Sequence, residues 1–199
     1  MTKRLKDYIA FDLEFNTVDD FPHLIQVAAV KYQDHQEVAT FDSFVYSKAP
    51  LKSVISGLTG ITVDKIQSAP PLEKVLEDFK QFVGQDPLIG YNGIESDIPV
   101  LKVNGLDLED QYQVDVYLMA LDLRETYLRG SQGMSLVKVA DHLGIKGRGH
   151  HALEDARMTA KVYQALLDLQ DNASLIQDQE VLHHNPFAGL DLSQFLGEE

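Results

Sequence analysis

The sequence predicts an α/β domain: a mixed β-sheet of about five strands, the first three antiparallel, flanked by helices. Three observations predict it. Apolar, β-rich runs crowd the first 47 residues. After residue 50, helical stripes alternate with short apolar runs, the order that builds a sheet with helices packed on it. The chain has 199 residues, 44% of them hydrophobic, enough to bury one sizeable core.

The elements follow in order. Tyr8 to Phe11 read as a first buried strand that runs into Asp12 and Glu14. LIQVAAVKYQ (24–33) is apolar and β-branched, a central strand. DHQE is a polar turn, and EVATFDSFVYS (37–47) alternates as a third strand, so the two form a hairpin. Residues 50–71 are broken by Gly57, Gly60 and Pro70-Pro71 and read as two short helices around a loop. LEKVLEDFKQFV (72–83) carries an apolar stripe at helical spacing. PLIGYN (87–92) is a short buried strand. Residues 96–105 form a helix with Ser96 as N-cap and Gly105 as its stop. Residues 112–123 are a strand running into a helix. Residues 135–145 form a helix capped by Ser135, and ALEDARMTAKVYQALLDLQ (152–170) is the longest helix. The domain spans 1–170. Residues 171–199 are polar with scattered apolar positions and read as a C-terminal appendage, partly flexible or docked on the core.

Composition narrows the chemistry. There are no cysteines, which excludes disulfides, thiolate metal sites and cysteine nucleophiles. The charged start, MTKRLKDY, and the short apolar run after it suit neither a signal peptide nor a membrane span. The reading is a soluble protein of the cytoplasm, with no membrane partner. The net charge of −14 serves solubility, and it keeps long-range attraction from holding a polyanion. Any nucleic-acid contact then rests on a local site, a metal or a partner.

Three contexts carry candidate chemistry. Asp12 and Glu14 stand two positions apart on a strand, so both point to one face, where like charges repel. They are either a water-facing surface pair or the start of a site. Asn92 closes a short strand, and Asp97 lies in the first turn of the next helix, where the helix dipole alone favours an acid. Gly147 and Gly149 frame a loop before His150, and Asp155 follows five residues on, inside the long helix. A loop His can swing beside that Asp, or both can face solvent.

Together these contexts resemble the DEDD superfamily of exonucleases, the group that includes the proofreading subunit of bacterial DNA polymerase III. Its Asp-x-Glu motif matches Asp12-Leu13-Glu14. Its Asn followed by a helix-opening Asp matches Asn92 and Asp97. Its His with an Asp five residues later matches His150 and Asp155. SGLTGITVDKIQSAPPLEKVLEDFKQFV resembles the passage between the motifs, and Asp115 stands where the family has a strand-end Asp. The likeness covers about residues 7–168. It falls in the histidine branch, because no tyrosine stands four residues before Asp155.

The resemblance implies a ribonuclease H-like sheet and a metal-dependent 3′–5′ exonuclease acting on single-stranded nucleic acid ends. DNA ranks ahead of RNA, with proofreading or repair as the setting and a DNA polymerase subunit as a partner. It implies two divalent cations, Mg²⁺ or Mn²⁺, held by Asp12, Glu14, Asp97 and Asp155, with Asp12 bridging both and Asp97 acting through water. Such cations neutralise acids that otherwise repel, activate the attacking water and steady the leaving oxygen. His150 is implied as the general base, since His-x-Ala-x-x-Asp fits HHALED with His150 rather than His151 in the catalytic place. Phe15, Asn16, Thr17 and Asn92 are implied around the terminal nucleotide. Asn16 there meets a sugar hydroxyl, and Phe15 either shapes the pocket or packs in the core.

The chain departs from the family in places. Five steps separate Asn92 from Asp97 instead of four, with Ser96 where a Phe is usual and Tyr91 where a His is common. A bulge at the helix entry would absorb the extra residue; Glu95 is the rival ligand. Lys138, Lys146 and Arg148, near the His150 loop, either hold phosphates or solubilise. Other readings stay open: a non-catalytic polymerase-associated subunit, an oligoribonucleotide- or RNA-trimming nuclease, and a hydrolase of small nucleotides. LDLSQFLG (190–197) docks on a partner or on its own core, and the oligomeric state is open.

Overall fold

The computed structural model describes residues 4–147 and 149–184, with side chains described through Asp171. β1 (Tyr8–Val18), β2 (Phe21–Gln33) and β3 (Gln36–Phe44) form an antiparallel ladder. β4 (Leu88–Gly90) and β5 (Gln113–Asp115) add in parallel beside β1, so the sheet order is β3-β2-β1-β4-β5. This is the expected five-stranded mixed sheet. The helices are α1 (Ser53–Thr59), α2 (Val63–Gln67), α3 (Leu72–Val83), α4 (Asp97–Val103), α5 (Val116–Asp122), α6 (Leu136–His142) and α7 (Ala152–His184).

The inner strands of the sheet are buried on both faces, while the edge strand β3 is largely exposed. Along β1, Tyr8 and Ala10 pack with Val116, Ala120, Ala156 and Tyr163 of α5 and α7. The alternate residues Ile9, Phe11 and Leu13 pack with Val75, Phe79 and Leu101 of α3 and α4. Each such large side chain contributes about 1.5–3 kcal/mol on burial. On α3 the stripe Val75, Leu76, Phe79 and Val83 is buried, as its spacing predicts.

Several boundaries differ from the sequence reading. The first strand does not stop near Glu14 but runs to Val18 and turns directly into β2 through Asp19-Asp20. Both turn residues have positive φ, 49° and 62°. Asp34-His35 repeat the pattern at 46° and 63° before β3. Two positive φ values match the twist of a two-residue hairpin, and Asp tolerates them through its short polar side chain. The third strand ends at Phe44 rather than Ser47. The last helix does not end at 170; its backbone continues to His184, so the segment read as an appendage begins as helix. LDLSQFLG lies outside the described residues.

After β4 the chain folds back tightly. A Cβ on Gly90 would lie 3.1 Å from the Gly93 Cα and 3.4 Å from the Phe11 ring. Asn92, inside that turn, has φ 61°. This close return leads into α4, whose Asp97 meets Leu13 of β1.

Candidate active site

Asp12 and Glu14 continue the face of β1 that carries Tyr8 and Ala10. That face lies under α7, and Asp155 sits in the first turn of α7, buried. Strand period and helix start therefore aim three acids at one point. One oxygen from each of Asp12, Glu14 and Asp155 lies within 4.8 Å of the other two. The Asp155 carboxylate is split in function. Its Oδ2 accepts the His150 backbone N–H at 2.7 Å, while its Oδ1 is buried without a hydrogen-bond partner.

The electrostatics match that crowding. Burial, then the charges of Asp97, Asp155 and Glu14, hold the Asp12 carboxyl well above its ordinary range. Burial, with Asp155 and Asp97, pushes Glu14 up to about 7. Burial also raises Asp155, against the pull of the backbone N–H groups near His150 and His151. In neutral water such a cluster holds protons until something cationic replaces them.

Asp97 is buried beside this group but outside the set of three. Its Oδ1 accepts the Leu13 backbone N–H at 3.1 Å. Burial lifts its pKa to about 7, even though the Leu13 N–H pulls it down. The extra residue before it is absorbed at the helix entry. Ile98 N–H donates to Gly93 O at 2.9 Å, an i→i−5 bond of the wide π type. Glu95 stays exposed. Ser96 occupies the N-cap position of α4, but its side chain makes no capping bond, and the same holds for Ser135 at α6.

Asp115 has a separate role. It ends β5, is buried, and caps α5 by accepting Tyr117 N–H at 2.9 Å. It also accepts Asn92 N–H at 2.9 Å and Ile94 N–H at 3.3 Å, which clamps the turn leading to Asp97.

A cleft of about 520 Å³ opens over the acids, and its walls include Tyr91, Leu136, Val137 and His150. His150 is exposed, with φ 67°. The glycines beside it allow close approach. A Cβ on Gly149 would lie 2.7 Å from Val137 Cγ2, so α6 packs directly on the histidine loop. Tyr91 is anchored by its hydroxyl, which donates to Met134 O at 2.6 Å. Neither Leu136 nor Val137 carries a signal for the cleft in the sequence, where both lie in the helix read over 135–145.

The other expected contacts spread out. Asn92 is exposed and lines an adjoining hollow with Tyr117 and Met134. Phe15 packs against the core, the second of its two readings. Thr17 is half-buried and pairs with Pro22 in the ladder. Asn16 corrects its expectation. It is 1% exposed, its Nδ2 donates to Pro50 O, and its Oδ1 accepts Lys52 N–H, both at 3.1 Å. A side chain with both ends engaged in the fold is not free for a sugar hydroxyl. Lys138 reaches Gln132, Lys146 faces Asp141, and neither lines the cleft. Arg148 lies outside the described residues.

The chain is similar to known proteins. The RNase T model, described as an exonuclease family, matches residues 9–163. The chain is 28% identical over 192 residues to a PolC-type DNA polymerase III of Clostridium perfringens, covering 94% of this chain and 13% of that one. It therefore spans about an eighth of that relative's length. The DNA polymerase III subunit epsilon of Aquifex aeolicus is 28% identical over 163 residues, 81% of this chain and 80% of the other. In three dimensions, E. coli exonuclease I in a complex with single-stranded DNA superposes with TM-score 0.71 at 16% identity, over 95% of this chain and 46% of that one.

Proposed function

The chain belongs to this exonuclease family, and on that premise we propose that it is a metal-dependent 3′–5′ exonuclease trimming single-stranded nucleic acid ends, DNA ahead of RNA. The observation that carries the proposal is the trio of carboxylate oxygens within 4.8 Å of one another. The orphaned Asp155 Oδ1 makes it a fit for hard cations, because such ions take several oxygen ligands and relieve the repulsion among them. Asp12, Glu14 and Asp155 would hold a pair of Mg²⁺ or Mn²⁺ ions, with Asp97 alongside. Bound there, such ions polarise the phosphodiester and make water a nucleophile near neutral pH.

The chain's own groups do the rest. His150 lines the cleft from an exposed loop and takes the proton of the attacking water at a ring nitrogen. Asp155 accepts the His150 backbone N–H, so the acid that faces the metals also positions the base. The apolar walls, Leu136 and Val137, limit water around the scissile bond. A volume of about 520 Å³ suits a nucleotide-sized group, so one chain end enters at a time. Asn92, in the adjoining hollow, and Thr17 near the end of β1 border the path of the terminal nucleotide.

The preference for DNA, a proofreading or repair setting and a DNA polymerase partner rest on the relatives named as DNA polymerase III. A net charge of −14 also favours delivery of the strand by a partner. Among the described residues no helix is long and apolar enough to cross a membrane. A cysteine-free chain acting on nucleic acid fits the cytoplasm.

The test uses 5′-labelled single-stranded DNA and RNA of one sequence, with Mn²⁺, with Mg²⁺ and with chelator. The expected result is a metal-dependent ladder shortening from the 3′ end, faster on DNA. Asp12→Asn should abolish it, and His150→Ala should slow it by about 10²–10⁴-fold. Full activity in folded Asp12→Asn protein would refute the proposal.

A further inference from the structure

We propose that the groove between residues 46–51 and α2 is a second binding site, one that holds the phosphate backbone of a single strand upstream of its reacting end. The inference rests on the exonuclease reading above. The groove has a volume of about 510 Å³ and is lined by Tyr46, Lys48, Pro50, Leu51, Val63 and Ile66 among others.

Its position follows from β1. Asn16 stands two residues beyond Glu14, about 7 Å along the strand. Its side-chain amide grips Pro50 O and the Lys52 N–H. The groove wall therefore begins where the acid-bearing strand ends, and the structure ties the two together. The wall is also braced from behind: Tyr46 N–H donates to Pro70 O at 2.8 Å, and the Lys65 Nζ lies 5.2 Å over the Phe44 ring.

Its chemistry is that of a single-strand track. No ion pair among the described residues involves Lys48, Lys52 or Lys65, although the chain carries 31 acids against 17 Lys and Arg. Asp64 is the one carboxylate on α2 itself. Tyr46 is 40% exposed and Val63 49% exposed. A lining cation without an ion pair, Lys48, beside an exposed aromatic ring, Tyr46, is what a sequence-tolerant strand needs: charge for a phosphate and a face for a base. Lys48 stands in the groove lining itself, and Lys65 stands on α2 next to the lining residue Ile66.

The test is fluorescence anisotropy in chelator at low salt, with 5′-fluorescein oligothymidylates of four and sixteen nucleotides. The sixteen-mer should bind the native protein more tightly than the four-mer. The double variant Lys48→Glu/Lys65→Glu should remove that advantage. It should also flatten the salt dependence of sixteen-mer binding by about 1.4 in log–log slope, two phosphate contacts at about 0.7 each. Tyr46→Ala should weaken sixteen-mer binding and leave the salt slope alone. A length advantage that is absent, or that survives the double variant, overturns the groove; a groove built for a protein partner gives that result. Cleavage of the four-mer in Mn²⁺ separates the two readings. Cleavage with a variant-insensitive length effect sinks the groove alone. A variant-sensitive length effect without cleavage sinks the exonuclease reading alone.

Discussion

Asp115 ends β5, whereas Asp12 and Glu14 stand within β1 and Asp155 in the first turn of α7, and the fold treats these carboxylates in opposite ways. Asp115 accepts three backbone N–H groups, from Asn92, Ile94 and Tyr117, and its work is complete in the protein alone. The other three acids face one another, and the Asp155 Oδ1 has no partner. A buried acid wrapped in donors stabilises a turn. Buried acids aimed at each other store repulsion that only protons or cations relieve. The contrast separates an acid satisfied within the fold from acids that only protons or cations can satisfy.

The largest expected effect is a pH dependence of stability set by the unsatisfied group and by Asp97 beside it. Glu14 titrates at about 7 in the folded chain, against an ordinary 4.5. The folded state thus keeps a proton that the unfolded chain gives up, and unfolding releases it. Stability of the metal-free protein falls as pH rises from about 4.5 to about 7. The fall is about 3 kcal/mol for Glu14, at about 1.4 kcal/mol per pH unit. Urea unfolding in chelator at pH 5 and pH 8 measures it, and saturating Mg²⁺ or Mn²⁺ at pH 8 should recover the loss. A flat profile would break the contrast.

Asp115→Ala probes the satisfied acid. Three N–H groups lose their acceptor, so stability should drop by about 2–3 kcal/mol at any pH from 5 to 8. Asp115→Asn, which keeps one oxygen, should lose about half as much. Equal stability of Asp115→Ala and the native chain would show that the clamp on the 92–94 turn is idle.

Asp12→Asn should have the opposite sign. In chelator at pH 8 it removes repulsion and raises the melting temperature, by about 2–4 °C for each kcal/mol relieved. It should also blunt the stabilisation by Mn²⁺. A lower melting temperature would mean that Asp12 is held by favourable contacts like those of Asp115.

The smallest effect is expected at the surface. Arg157 reaches Glu37 on β3 at 2.8 Å and Glu154 at 2.6 Å, with 27% of its side chain exposed. Arg157→Gln should cost less than about 1 kcal/mol, because solvent screens such pairs. Comparing its unfolding midpoint with that of Asp115→Ala shows how far burial, rather than charge, sets the value of an acid's partner.

Much of this was legible from the chain. The apolar run at Tyr8–Phe11 and the two-residue spacing of Asp12 and Glu14 place both acids on one strand face, since side-chain period is local. The α3 stripe is local in the same way: Val75, Leu76, Phe79 and Val83 are buried, and Leu72 and Phe82 pack half-buried beside them. Strand length was less legible. β1 continues through Asn16 to Val18 because β2 pairs with it throughout, and Asp19-Asp20 turns it without a glycine. Asn16 looked free because nothing local shows that Pro50 and Lys52 close on it. Lys138 and Lys146 looked close to the site because they are near His150 in number, yet their side chains point to other partners.

By itself the sequence determined the sheet-and-helix order, the face on which Asp12 and Glu14 stand, and the acids and histidine available for chemistry. Periodicity and turn chemistry act over a few residues, and those features need no more. The tertiary structure alone decided that Asp97 meets the backbone of Leu13 across 84 positions, that Asp155 closes on Asp12 and Glu14, and which oxygen is left without a partner. Those contacts depend on how two helical layers pack against one sheet, and packing is settled by the whole core at once.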